Sequence, residues 1–142
     1  MLQRFQDFVT GITQCYRSIQ KIKSTEMTEF GLKGTHVMCL FFLGQHPEGL
    51  TAAQLSQMCA EDKAAISRTL AVLQERGYIQ AGEKKYRAPL RLTDAGENLA
   101  RQMEGLIQHW VTFGGDDLTQ EEREIFYRVL GKIAARLGEK QE

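Results

Sequence analysis

Residues 50–79 read LTAAQLSQMCAEDKAAISRTLAVLQERGYI, and this stretch decides the fold. Thr51 suits the N-cap of a short helix carrying Leu55 and Met58/Cys59, because its hydroxyl can accept from the orphan N–H groups of a first turn. That helix ends near Ala60. Asp62 can cap a second helix whose apolar residues Ile66, Leu70 and Leu73 fall at i, i+4 and i+7. Gly77 stands where a left-handed C-terminal stop is wanted. Helix, short turn, helix is the result.

Working outward, residues from about Thr35 to Gln45 are apolar nearly all round, which predicts a central helix, and His46-Pro47-Glu48-Gly49 is a turn. Thr28, Gly31 and Gly34 form a breaker cluster before it. Further upstream, Leu2, Phe5, Phe8/Val9, Ile12, Cys15/Tyr16, Ile19, Ile22 and Met27 recur at three- and four-residue steps and lay one apolar stripe along a long first helix. On the other side, Tyr78 to Glu83 and Ala88 to Leu92 are compatible with short strands around a tip of Lys84-Lys85-Tyr86-Arg87, with Pro89 restricting its strand to an edge. From Thr93, a plausible cap, helical spacing returns through Ala95, Leu99, Met103, Leu106, Trp110 and Phe113, until Gly114-Gly115-Asp116-Asp117 breaks it. Thr119 to Glu122 resembles a capping box and opens a last helix with Ile125/Phe126, Val129/Leu130, Ile133 and Leu137. The expected fold class is mainly α with one small β-hairpin, in a single domain over residues 1–142.

The chain has 142 residues, 42% of them hydrophobic and 25% charged, which is ordinary globular composition rather than disordered or fibrous. Its longest apolar run, Val37 to Leu43, is far short of the roughly 18 residues a membrane span needs. No secretory signal pattern opens the sequence, so a soluble, cytoplasmic protein is expected. Cys15, Cys39 and Cys59 are odd in number and lack C-x-x-C spacing, which argues for reduced thiols rather than a disulfide framework or zinc site.

Net charge is zero, yet its distribution is uneven. Residues 63–93 hold 7 basic and 2 acidic side chains, a net +5, against −1 before them and −4 after. A charge run is ordinarily a solvated face; a basic block can also be a footprint for phosphates, through counterion release. Geometry favours the second reading. In a helix-turn-helix the second helix lies in the major groove with its N-terminal residues nearest the base edges. Here the exposed face of that helix offers Lys63, Ala64, Ser67, Arg68 and Ala71. Small residues allow close approach, Ser67 can bond a base or phosphate, and Lys63 or Arg68 can reach guanine acceptors or a phosphate. The basic hairpin tip, Lys84, Lys85, Tyr86 and Arg87, is suited to a narrow minor groove.

Taken in order, Leu50-Thr51-Ala52-Ala53-Gln54-Leu55-Ser56, Asp62 to Leu70, Leu73-Gln74-Glu75-Arg76-Gly77-Tyr78-Ile79 and Leu92-Thr93-Asp94-Ala95-Gly96 resemble the MarR family of bacterial transcriptional regulators. The resemblance implies a winged helix-turn-helix over residues 35–93, with residues 1–30 and 94–142 supplying dimerisation helices. It further implies a homodimer on duplex DNA, one recognition helix and one wing per half-site of a pseudo-palindromic operator, most readily as a repressor released by an effector. The family's wing usually carries Asp, one residue, then Arg, where this chain has Lys84 and Tyr86; Arg87, then Lys85, are the remaining candidates for groove entry. Ala60 stands where the family often has Gly, which is tolerated if the backbone there is right-handed.

A small-molecule pocket, also implied by the resemblance, would draw on Tyr16, His36, Met38 and Trp110, which mix polar atoms with large apolar surface. Stripe aromatics are ordinarily core, and Cys59 fits an apolar core position. Some members of the family sense oxidants through cysteine, and Cys15 or Cys59 is a candidate if accessible. No hydrolase elbow, phosphate-binding loop or zinc-protease motif is present, and His36, His46 and His109 are too scattered for a local metal motif, so neither enzyme, cofactor nor metal is expected. The rival reading is a winged-helix protein-interaction module without specific DNA binding, since fold alone does not fix function.

Overall fold

The computed structural model describes residues 1–80 and 88–140. Six helices and one short hairpin follow in the order α1 (Leu2–Glu26), a 3-10 turn (Thr28–Phe30), α2 (Gly34–Gln45), α3 (Ala52–Cys59), α4 (Lys63–Glu75), β1 (Ile79–Gln80), β2 (Arg91–Leu92), α5 (Asp94–Gly115) and α6 (Gln120–Gly138). The chain forms two compact units, Met1–Leu106 and Ile107–Glu142, and α5 passes from the first into the second. This is the mainly helical winged architecture expected from the sequence.

In the first unit the core lies around α2, whose Val37, Cys39, Leu40 and Leu43 are almost fully buried. Leu55 of α3, Ile66 and Leu73 of α4, Ile79 and Leu92 of the hairpin, and Leu99 and Met103 of α5 complete it. Leu70, expected to face inward, is only half-buried, whereas Thr69 is buried at 5% exposure.

The ends of α3 and α4 are built alike. Both stop in a Schellman motif: Tyr78 N–H donates to the Leu73 carbonyl at 2.9 Å and Gly77 N–H to Gln74, while Glu61 N–H donates to Ser56 at 3.1 Å and Ala60 N–H to Gln57. Gly77 takes φ 77° without a steric penalty. Ala60 takes φ 52° and ψ 43°, so the condition on which an alanine is readily tolerated there, a right-handed backbone, is not met. The physical reason is the reversal itself, because the closing bond from Glu61 forms only when the preceding residue turns left-handed.

Described strand pairing is shorter than the two predicted segments. Ile79 pairs with Leu92 and Gln80 with Arg91, antiparallel, while Leu90 turns to Leu50 in a separate bridge with bonds of 3.0 and 2.8 Å. Gly96 lets α5 start beside this hairpin, for a Cβ there would lie 2.0 Å from the Tyr78 carbonyl oxygen. Thr93 caps α5 as expected, its hydroxyl accepting from Gly96 N–H at 3.1 Å.

In the second unit Thr119 and Glu122 form the predicted capping box: the Thr119 hydroxyl accepts from Glu122 N–H, and the Glu122 carboxylate accepts from Thr119 N–H at 2.8 Å. Arg123 donates to the Gly115 carbonyl at 2.6 Å and ties the start of α6 to the end of α5.

Candidate nucleic-acid interface

Thr51 opens α3 with its hydroxyl accepting from Gln54 N–H, and Gln54 returns its side-chain oxygen to Thr51 N–H at 2.8 Å. Asp62 opens α4, one carboxylate oxygen accepting from Ala65 N–H at 2.7 Å. With Ile66 and Leu73 anchored in the core, the opposite face of α4 is fixed outward. Lys63, Ala64, Ser67, Arg68 and Ala71 are all exposed on it. Among the described residues neither Lys63 nor Arg68 has an ion-pair partner, so both charges are available to a polyanion. Asp62, as the cap, supplies a negative charge directly at the helix start, and the positive face begins one residue later.

Other members of the basic block divide by use. Arg76, at the far end of α4, donates to the Gly31 carbonyl at 2.7 Å and so braces the turn before α2. Arg91 on β2 is exposed at the base of the hairpin. In the sequence both count alike as charge, because a bond across 45 residues leaves no local signal that Arg76 is a bracing residue. Lys84, Lys85, Tyr86 and Arg87, the wing candidates, lie outside the described residues.

Of the four residues proposed for a small-molecule pocket, Tyr16 and Met38 line one cavity of about 420 Å³ in the first unit, with Lys23, Cys59, Ala60 and Glu61. His36 is not among its lining residues. Its Nδ1 accepts from Lys33 N–H at 3.1 Å, so its ring satisfies a backbone donor ahead of α2. Burial, then the nearby Arg76 and Lys33 charges, hold the His36 pKa below the ordinary imidazole value, in keeping with an acceptor nitrogen. Trp110 belongs to the second unit, where its ring meets His109 and Phe113 edge-on. Its buried Nε1 has no hydrogen-bond partner among the described residues.

Cysteines complete the inventory. Cys15 is exposed on α1, Cys39 is buried, and Cys59, predicted as a core residue, is only half-buried with one side on the cavity. Cys39 and Cys59 face each other with their sulfurs 3.9 Å apart. Among the described residues no three His, Cys, Asp or Glu side chains converge as a metal site, and no helix is long and apolar enough to cross a membrane.

Residues 30–85 match the sequence model of the MarR family. No curated protein matches the chain in sequence. Among solved structures, a MarR-family regulator from Listeria monocytogenes complexed with a 26mer DNA superposes with a TM-score of 0.83 at 18% identity, over 93% of this chain and 89% of that one. MepR of S. aureus, in a DNA complex, gives 0.75 at 18% identity over 89% and 94%. A MarR family protein of Mycobacterium tuberculosis, in complex with p-aminosalicylic acid, gives 0.67 at 23% identity over 87% and 95%.

Proposed function

We propose that the chain is a MarR-family winged helix-turn-helix protein, a homodimeric, sequence-specific double-stranded DNA-binding regulator that acts as a repressor released by a small-molecule or oxidant effector. The observation that carries this reading is the start of α4. A capped helix there presents Lys63, Ala64, Ser67 and Arg68 to solvent, unpaired among the described residues, with small residues between the charges. That is the arrangement a major groove admits, with the N-terminal turn toward the base edges. The DNA complexes of the Listeria and S. aureus proteins of the same fold support it.

Homodimerisation is supported by the uncovered apolar surface of α1, which carries Leu2 at 85% and Phe5 at 67% exposure. A dimer of such units reads two half-sites about 34 Å apart on one face of a pseudo-palindromic operator, and an effector that changes the spacing of the recognition helices loses the fit. The cavity beside Tyr16 and Met38 is the proposed small-molecule site, and the p-aminosalicylic acid complex of the M. tuberculosis protein supports an aromatic acid as the class to try. We place the wing contact at Lys84, Lys85, Tyr86 and Arg87, and the protein in the cytoplasm.

Selection of bound fragments from randomised duplex DNA tests the reading. Enrichment of a two-fold symmetric site, with half-sites one turn apart, is the expected result. Uniform weak binding at physiological salt would instead assign the fold to holding another protein.

A further inference from the structure

A second cavity, of about 240 Å³, opens on the first unit between the C-terminal end of α2, strand β2 and the first turns of α5. It shares no lining residue with the cavity beside Tyr16 and Met38. Its floor is apolar, formed by the buried core residues Leu43, Leu92 and Ala100. Gly44 brings α2 against α5 there, since a Cβ at this position would lie 3.2 Å from the Ala100 Cβ.

Above the floor the lining is charged. Arg91, Glu97 and Arg101 are exposed and Glu104 is half-buried. Glu97 and Arg101 stand one turn apart on α5 in the order that favours a pair on a helix, yet Arg101 donates instead to the Asn98 side-chain oxygen at 2.7 Å. Gln45 donates to one oxygen of Glu104 at 2.8 Å and leaves the other uncommitted. Among the described residues none of these four charges is ion-paired. The cavity therefore offers two guanidiniums and two carboxylates around an apolar floor.

That combination discriminates among ligands. A simple anion drawn to the guanidiniums meets two carboxylates, and a simple amine drawn to the carboxylates meets two guanidiniums, so like-charge contact opposes either. A molecule that carries both charges close together, with an apolar tail, meets a partner at each point. Size sets a further limit: 240 Å³ lies below the roughly 300–1,000 Å³ of sites for drug-sized ligands, which leaves room for a small metabolite.

We propose that this cavity binds a free α-amino acid with an aliphatic side chain. Arg91 and Arg101 take the carboxylate, which the guanidinium fork matches in geometry. Glu97 and Glu104 accept from the ammonium, and the side chain lies on Leu43, Leu92 and Ala100. None of these residues is on the exposed face of α4, so the site does not depend on the DNA-binding reading.

Calorimetric titration and methyl NMR of the full chain with L-leucine, L-isoleucine and L-valine test it. Saturable binding is expected, with shifts at the Leu43, Leu92 and Ala100 methyls and none at Met38. Two analogues of leucine separate the charges: 4-methylpentanoate lacks the ammonium and isopentylamine lacks the carboxylate. Each is expected to bind at least roughly fivefold more weakly than leucine. Arg91→Gln and Glu97→Gln alter exposed side chains outside the core, and they divide the effect. Arg91→Gln narrows the gap between leucine and isopentylamine, and Glu97→Gln narrows that between leucine and 4-methylpentanoate. Absence of saturable binding by all three amino acids at millimolar concentration would overturn the proposal. So would 4-methylpentanoate binding as tightly as leucine, shifts confined to Met38, or both variants binding leucine unchanged. A chain that prefers no DNA overturns the function proposed above and leaves the amino-acid result standing.

Discussion

Ala60 and Gly77 occupy the same place in consecutive Schellman motifs, at φ 52° and 77°, and only one of them is glycine. A left-handed L-residue costs about 1–2 kcal/mol, while glycine's extra unfolded-state freedom returns part of that. Ala60→Gly is therefore expected to stabilise the chain by roughly 0.5–1 kcal/mol, read from the urea midpoint at unchanged slope. Gly96 is the opposite case. With a Cβ placed 2.0 Å from the Tyr78 oxygen, Gly96→Ala has to push α5 off the hairpin, and a loss of about 1–3 kcal/mol or more is expected in the same experiment. On α4, Arg68 and Lys63 separate by assay. Arg68→Ala is expected to weaken operator binding by about 1–3 kcal/mol and to relax preference at one base position. Lys63→Ala, if it meets phosphate, lowers affinity on all sequences and makes the salt slope shallower by about one. Unchanged binding by both variants in gel shifts would remove α4 from the interface.

Helix ends were the most legible elements, because a cap is a local event. Thr51, Asp62, Thr93 and Thr119 all accept from first-turn N–H groups as their sequence positions suggest, and Gly77 ends α4. What the sequence hides is contact between segments. The Leu50–Leu90 bridge, the Arg76 bond to Gly31 and the Cys39–Cys59 approach each join residues far apart in the chain, with no periodicity to announce them. His36, a candidate for the ligand pocket by residue type, uses its Nδ1 to accept from the Lys33 N–H. That use has a pH signature. His36 has its pKa lowered on folding from 6.5, so the folded state binds fewer protons and the neutral ring's contribution is complete above 6.5. As pH falls below 6.5 the unfolded chain takes up the proton first and stability declines, levelling off only below the folded pKa. His36→Gln keeps a side-chain oxygen near the same donor and does not titrate. Urea midpoints of the two proteins are expected to diverge less at low pH than at neutral pH, the variant losing less on acidification.

At the scale of the molecule, the deciding feature is how much apolar surface each of its two units leaves uncovered. Every residue from Leu2 to Lys21 is exposed, although Phe5, Phe8, Val9, Ile12 and Ile19 repeat at helical spacing, and no residue of α6 is buried despite Ile125, Phe126 and Val129. The stripes were legible from the sequence as core-facing. What they face comes only from the family resemblance, which implies dimerisation helices, since periodicity reports that a face is to be covered and says nothing of whether the cover lies in the same chain. Within each of the two units taken by itself it does not, and exposed patches of this extent mark association surfaces. Coverage by a second copy predicts that sedimentation gives about twice the 16.1 kDa of the chain. Ile12→Glu on α1 and Phe126→Glu on α6 each put a charge on such a stripe, where burial without a partner is strongly unfavourable. Both are expected to sediment at 16.1 kDa while the first unit, whose core neither residue enters, keeps its helical circular dichroism. Losing the partner also removes the second half-site contact, whose effective concentration strengthens binding by roughly 10²–10⁴-fold, so operator affinity should fall by about a hundredfold or more. The wild-type chain sedimenting as a single copy, or either charged variant retaining full operator affinity, would separate these stripes from DNA recognition and leave α4 to act alone.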